Sequence, residues 1–144
     1  MSVTAAKGFR AAGVVAGLKE SGKPDLALVV NDGPLDVAAG VFTTNRVVAA
    51  PVVWSRQAVT DGTARAVILS SGSANACTGE RGATDARATA EYVAGALSSQ
   101  PDAQTVDASD VLVCSTGVIG VPIDMPVLLA GASAAATALD ASAE

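Results

Sequence analysis

The chain has 144 residues, half of them hydrophobic, only 3% aromatic, and a formal net charge of -5. That is the size of one domain with a sizeable core, and its acidity, without a basic stripe or aromatic platform, argues against nucleic acid and against an acidic membrane surface as partners. Its apolar stretches are interrupted well short of the roughly 20 residues of a membrane span, and the absence of histidine removes every Ser-His-Asp or Cys-His site that this chain alone could build.

Met1 to Arg10 lacks a basic start, an apolar run and a small-residue cleavage site, so a cytoplasmic setting is expected. Leu26 to Val30 is a continuous apolar run closed by Asn31-Asp32-Gly33-Pro34 and predicts a buried strand followed by a turn. Val37 to Thr44 and Val47 to Trp54 are β-rich and predict two further strands. The second should lie at an edge or bulge, because Pro51 cannot donate to a ladder. Asn45-Arg46 between them reads as a solvated turn, and Phe42 and Trp54 as core or interface residues. Ala66 to Leu69, within the segment Ala64 to Ser71, predicts another buried strand running into a polar loop, Ser70 to Gly79.

Ala86, Ala90, Val93, Ala94 and Leu97 then recur at helical spacing. With Thr84 as N-cap, Asp85 in the first turn and Arg87 four residues before Glu91, they predict a helix over 85–98. Val111 to Cys114 predicts a final buried strand leading directly into a turn at Ser115-Thr116-Gly117, and Asp124 is the expected cap of a helix over 125–139. Asp140 and Glu144 beyond it oppose the helix macrodipole, which suggests that the chain continues. Cys77 and Cys114 have no C-x-x-C partner and read as reduced, small buried residues. No spacing of thiolates or carboxylates suggests a metal.

The strand-end turns are the informative places, because exposed backbone N–H groups there can hold negative charge. The Gly72 to Gly79 loop is one candidate, as a phosphate- or nucleotide-binding module, although it lacks the lysine of a P-loop. Gly117-x-x-Gly120 lacks the preceding Gly-x-Gly of a dinucleotide fingerprint. Thr116-Gly117 sets a hydroxyl beside a glycine N–H, a two-donor arrangement suited to an oxyanion. Ser71, Ser73, Ser115 and Thr116 all carry hydroxyls, but none has a base in this chain and none lies in Gly-x-Ser-x-Gly. A plain turn is the alternative reading of both loops.

Six segments appear in family order: Lys7-Gly8-Phe9-Arg10-Ala11-Ala12-Gly13, Pro24-Asp25-Leu26-Ala27-Leu28-Val29, Ala39-Gly40-Val41-Phe42-Thr43-Thr44-Asn45, Ala49-Ala50-Pro51-Val52-Val53-Trp54, Ala74-Asn75-Ala76-Cys77-Thr78-Gly79 and Cys114-Ser115-Thr116-Gly117-Val118-Ile119-Gly120. On them the chain resembles the N-terminal, α-chain part of the ornithine acetyltransferase / glutamate N-acetyltransferase family of arginine biosynthesis. The resemblance implies an α/β sandwich completed by a second, β chain, released when the precursor cuts itself at a threonine. Residues 1–144 would then be one α-chain domain ending before that cleavage site, in a heterotetramer of two α and two β chains.

It further implies an acetyl group moved from N-acetylornithine to glutamate through an acetyl-threonine intermediate, without a cofactor, with acetyl-CoA as a second donor in bifunctional members. The family's oxyanion site carries over onto the Thr116 hydroxyl and the Gly117 N–H. The nucleophile, and with it the substrate-binding residues, would lie beyond Glu144, so this stretch alone should be inactive. Ser70 departs from the family pattern, which usually has asparagine before Ser-Gly.

Overall fold

The computed structural model describes residues 2–101 and 103–142. Its frame is a four-stranded sheet of β1 (Phe9–Val14), β2 (Leu26–Asn31), β3 (Ala66–Ser73) and β4 (Val111–Val118), in that spatial order. β1 to β3 pair antiparallel, whereas β3 and β4 are parallel, since a helical crossover joins them. Leu26, Leu28, Val30, Ala66, Ile68, Val111 and Val113 point to one face and are buried there, following the period-two alternation of a strand. The turn after β2 is as expected: Asn31 closes it through its side chain, accepting from Gly33 N at 3.0 Å and donating to the Leu35 carbonyl at 2.8 Å.

Three helices complete the described fold: α1 (Ala50–Ala58), α2 (Gly79–Ser98) and α3 (Met125–Thr137). α2 and α3 lie on the buried face of the sheet, where Ala90, Val93, Ala94, Leu97, Leu128, Ala132 and Ala135 interdigitate with the strand residues. Small side chains permit this close approach: Gly131 packs against Ala16 and Leu26 so tightly that a Cβ would overlap Ala16. Asp124 caps α3 as expected, accepting from Val127 N at 3.3 Å. Arg87 and Glu91 pair at 2.7 Å.

The opposite face of the sheet carries Ala27, Val29, Val67, Leu69, Leu112 and Cys114, half-buried or exposed, and among the described residues no α-helix lies over it.

Several expectations are corrected. The two strands expected over 37–44 and 47–54 do not form. Val37 makes only an isolated bridge to Thr63, and Val47 to Trp54 enters α1. Proline permits this: at the first turn of a helix its missing N–H removes nothing, and Pro51, Ser55 and Ala58 then bury one side at helical spacing. α2 begins at Gly79 rather than Asp85, so Thr84 is not a cap; it lies inside the helix and its hydroxyl donates to the Glu80 carbonyl at 3.0 Å. β1 was not legible as a strand, being broken in pattern by Arg10 and Gly13. Both cysteines are free and exposed rather than buried. Glu144 lies outside the described residues.

Candidate functional site

The segment expected as a turn at Ser115-Thr116-Gly117 is instead the last part of β4. The parallel ladder continues through Ser70↔Ser115, Ser71↔Thr116, Gly72↔Gly117 and Ser73↔Val118, so both polar strand ends of the sequence reading lie side by side. Two glycines make this possible. Gly72 has φ 140° and Gly117 has φ 129°, a region that other residues rarely adopt. A Cβ on Gly117 would run into the Gly72 backbone, and one on Gly72 into the Leu18 carbonyl. The glycine at 117 is therefore required by its neighbour strand as well as by any approaching substrate.

The pleat separates the candidate hydroxyls. Ser115 turns to the helix-covered face, half-buried, with its hydroxyl 3.2 Å from that of buried Ser70. Thr116 turns to the bare face, exposed, and among the described residues its hydroxyl has no hydrogen-bond partner. Ser73 is engaged with the Val121 carbonyl at 2.5 Å and Ser71 with that of Asp25 at 3.4 Å. Of the hydroxyls considered from sequence, Thr116 is the one presented outward and unengaged.

The direction of the Gly117 N–H follows from the edge of β4. Trp54 Nε1 donates to the Val111 carbonyl at 2.9 Å, and buried Ser55 both donates to the Val113 carbonyl and accepts from the Val113 N–H, each at 2.9 Å. Val111 and Val113 thus turn their peptide groups to the outer edge, where α1 covers them. Alternate residues of a strand turn theirs the same way, so Ser115 and Gly117 face that edge too, past the cover of α1. Val118, of the other parity, accepts from Ala74 N at 2.9 Å, in agreement. The strand geometry accordingly puts Thr116 on the bare face and the Gly117 N–H on the adjoining edge of the sheet, at neighbouring positions.

The loop between β3 and α2 packs against this strand end. Asn75 and Cys77 adopt positive φ, 47° and 57°, and Asn75 is wholly buried. Gly120 N donates to the Ala76 carbonyl at 2.8 Å. The loop leads straight into the N-terminus of α2, but Glu80 places a carboxylate in that first turn, and no lysine lies between Gly72 and Gly79. Sequence reasoning weighed this stretch as a phosphate loop and missed Asn75, whose signal was its place as the one amide in a run of small residues.

One carboxylate and one thiol lie beside these strand ends. Asp25 is buried; burial works to raise its pKa, but backbone N–H groups of Ala16, Lys19, Leu18 and Gly17 outweigh that and hold it below the usual carboxylate range. Cys114, two residues before Thr116 on the bare face, is exposed, although neighbouring atoms desolvate its thiol enough to push the pKa up. Among the described residues no cluster of His, Cys, Asp or Glu could hold a metal ion, and no helix is long and apolar enough to cross a membrane.

Comparison with known proteins agrees with the resemblance read from the sequence. The structure superposes on a crystal structure of ornithine acetyltransferase from Mycobacterium tuberculosis in complex with ornithine, with a TM-score of 0.95 and 55% identity, covering 98% of this chain and 72% of that one. It also superposes on the arginine biosynthesis bifunctional protein ArgJ from Bacillus halodurans, with a TM-score of 0.83 and 37% identity, covering 92% of this chain and 65% of that one. These matches bear out the α/β fold expected of the ornithine acetyltransferase type.

Curated relatives named arginine biosynthesis bifunctional protein ArgJ include those of Thermobifida fusca, 59% identical over 94% of this chain, and Streptomyces coelicolor, 60% identical over 94%. The chain spans 33% and 34% of the length of those two relatives. The ArgJ family model matches residues 10–144; the chain belongs to the ArgJ family.

Proposed function

We propose that this chain is the α-chain part of an acyltransferase that moves an acetyl group from N-acetylornithine to glutamate in arginine biosynthesis, and that it supplies the oxyanion site. The observation that carries the proposal is the juxtaposition of the exposed, unengaged Thr116 hydroxyl with the edge-facing Gly117 N–H on a strand that neighbouring elements hold rigidly. Preorganised donors of this kind stabilise the tetrahedral oxyanion of acyl transfer without reorganising. The names of the relatives, and the ornithine in the mycobacterial structure, support the substrate class.

The attacking group comes from outside these residues, from the N-terminal threonine of a β chain formed by self-cleavage of the precursor. The bare, largely apolar face of the sheet and the exposed Leu35, Val37, Val41 and Val47 of the segment before α1 supply surface for such a partner, in keeping with a heterotetramer of two α and two β chains in the cytoplasm. Acetyl-CoA serves as an alternative donor, and no cofactor is required because the acetyl group rides on the enzyme. A phosphate-binding role for the Gly72 to Gly79 loop is not favoured, since Glu80 and the missing lysine both oppose an anion there.

Thr116→Ala in the full-length protein tests this reading. The expected result is a fall in kcat of roughly a hundredfold or more, the usual effect of one lost oxyanion donor, about 3 kcal/mol, with Thr116→Ser retaining most of the activity. An unchanged kcat in Thr116→Ala would exclude the hydroxyl from that role.

A further inference from the structure

We propose that Asn75 is a positioning residue for the reaction, holding the strand end that presents Thr116 and Gly117; the proposal rests on the oxyanion reading above. Among the described residues, Asn75 hydrogen-bonds to neither donor. It is completely buried and left-handed at φ 47°, a conformation in which asparagine is among the few tolerated side chains.

Every polar group of Asn75 is engaged. Its Nδ2 donates to the Gly82 carbonyl at 2.9 Å, its Oδ1 accepts from the Thr78 hydroxyl at 2.7 Å, its N–H donates to Ser73 Oγ at 3.3 Å, and its carbonyl accepts from Ala50 N at 3.2 Å. The end of β3, the first turn of α2 and the N-terminus of α1 are thereby tied to one buried residue, α2 through its side-chain amide and the other two through its main chain. α1 in turn covers the edge of β4 up to Val113.

The peptide groups on either side of Asn75 reach the site. Ala74 N donates to the Val118 carbonyl and Ala76 accepts from Gly120 N, at 2.9 and 2.8 Å. These bonds bracket the residues following Gly117, so the loop that Asn75 shapes clamps the chain on the far side of the donor pair. Gly82 completes the fit, because a Cβ there would overlap both Thr78 Oγ1 and Asn75 Oδ1. A donor pair on an open sheet edge has no second strand to hold it, and this clamp takes that place. Displacing reactive groups by a fraction of an ångström to an ångström is enough to lose catalysis without losing binding.

The test uses the full-length protein, with its cleavage state checked on a gel. Asn75→Asp replaces the donor facing the Gly82 carbonyl by an acceptor, and Thr78→Val removes one hydroxyl. Asn75→Asp is expected to lower kcat about tenfold or more while KM for the acetyl donor stays within about twofold. Thr78→Val should show a smaller fall that Thr78→Ser restores; if the Asn75→Asp protein does not fold, this pair decides alone.

Combination with Thr116→Ala identifies the route. Action through the donor pair predicts that the Asn75 or Thr78 change adds little once the hydroxyl is gone. Full additivity, or an unchanged kcat in the single variants, overturns the proposal. An unchanged kcat in Thr116→Ala alone instead overturns the oxyanion reading, and the positioning role falls with it.

Discussion

Gly117 and Gly72 stand opposite one another on the parallel strands β3 and β4, with no room for a side chain between the first and the backbone of the second. Two polar segments that are 45 residues apart between Ser70 and Ser115 are thereby brought to one strand-end corner.

Gly117→Ala is expected to destabilise the fold and not merely to slow a reaction. Backbone strain at a positive φ costs of order 1–3 kcal/mol, and overlap with the Gly72 backbone adds to it. Gly13→Ala is the matched control: Gly13 is the exposed residue of half-buried β1 and has nothing near its missing Cβ, so its denaturation midpoint should hardly move. Urea unfolding of the two variants compares them directly.

Ser55→Ala removes the hydroxyl that serves both the N–H and the carbonyl of buried Val113. Leaving such groups unpaired costs about 1–3 kcal/mol each at most. Trp54, the only tryptophan, is the neighbouring residue of α1 and is bonded to the Val111 carbonyl of the same strand, so its emission reports whether α1 still docks on β4. A lowered unfolding midpoint together with a shifted Trp54 emission is the expected result; an unchanged midpoint would remove Ser55 from the edge.

Asp25 makes part of the stability acid-sensitive. Its folded pKa lies below its unfolded value, so its contribution is fully present above the unfolded pKa of about 3.9 and is lost as pH falls from there through the folded pKa. Asp32, paired with Arg10 at 2.6 Å, titrates in the same direction. The difference in unfolding free energy between wild type and Asp25→Asn isolates the first group: it should be constant near neutrality and shrink below about pH 4. A difference that does not change with pH would mean that the carboxylate charge is irrelevant to the loop it anchors.

Residues 1–144 expressed alone should show no acetyl transfer from N-acetylornithine to glutamate, because oxyanion donors without a nucleophile cannot turn over substrate. Co-expression with the remaining part of the full-length protein, its self-cleavage site included, should restore it. Measurable turnover by the purified chain would place a nucleophile within it.

The sequence by itself determined the elements whose signals are local: continuous apolar runs became β2, β3 and β4, apolar residues at helical spacing became α2, an Asp cap marked the start of α3, and ordered motifs led to the family and to Thr116-Gly117. Tertiary structure decided what local preference could not. The valines around Pro51 favour a strand, yet α1 forms because Asn75 accepts from Ala50 N and Val113 is served by Ser55, contacts made by residues distant in sequence.

Only the sheet's pleat and its helix-covered face separated exposed Thr116 from inward Ser115, and the same geometry left Cys114 on the bare face rather than in the core. The physical reason is that burial and hydrogen-bond completion are properties of neighbours, and neighbours are chosen by the fold.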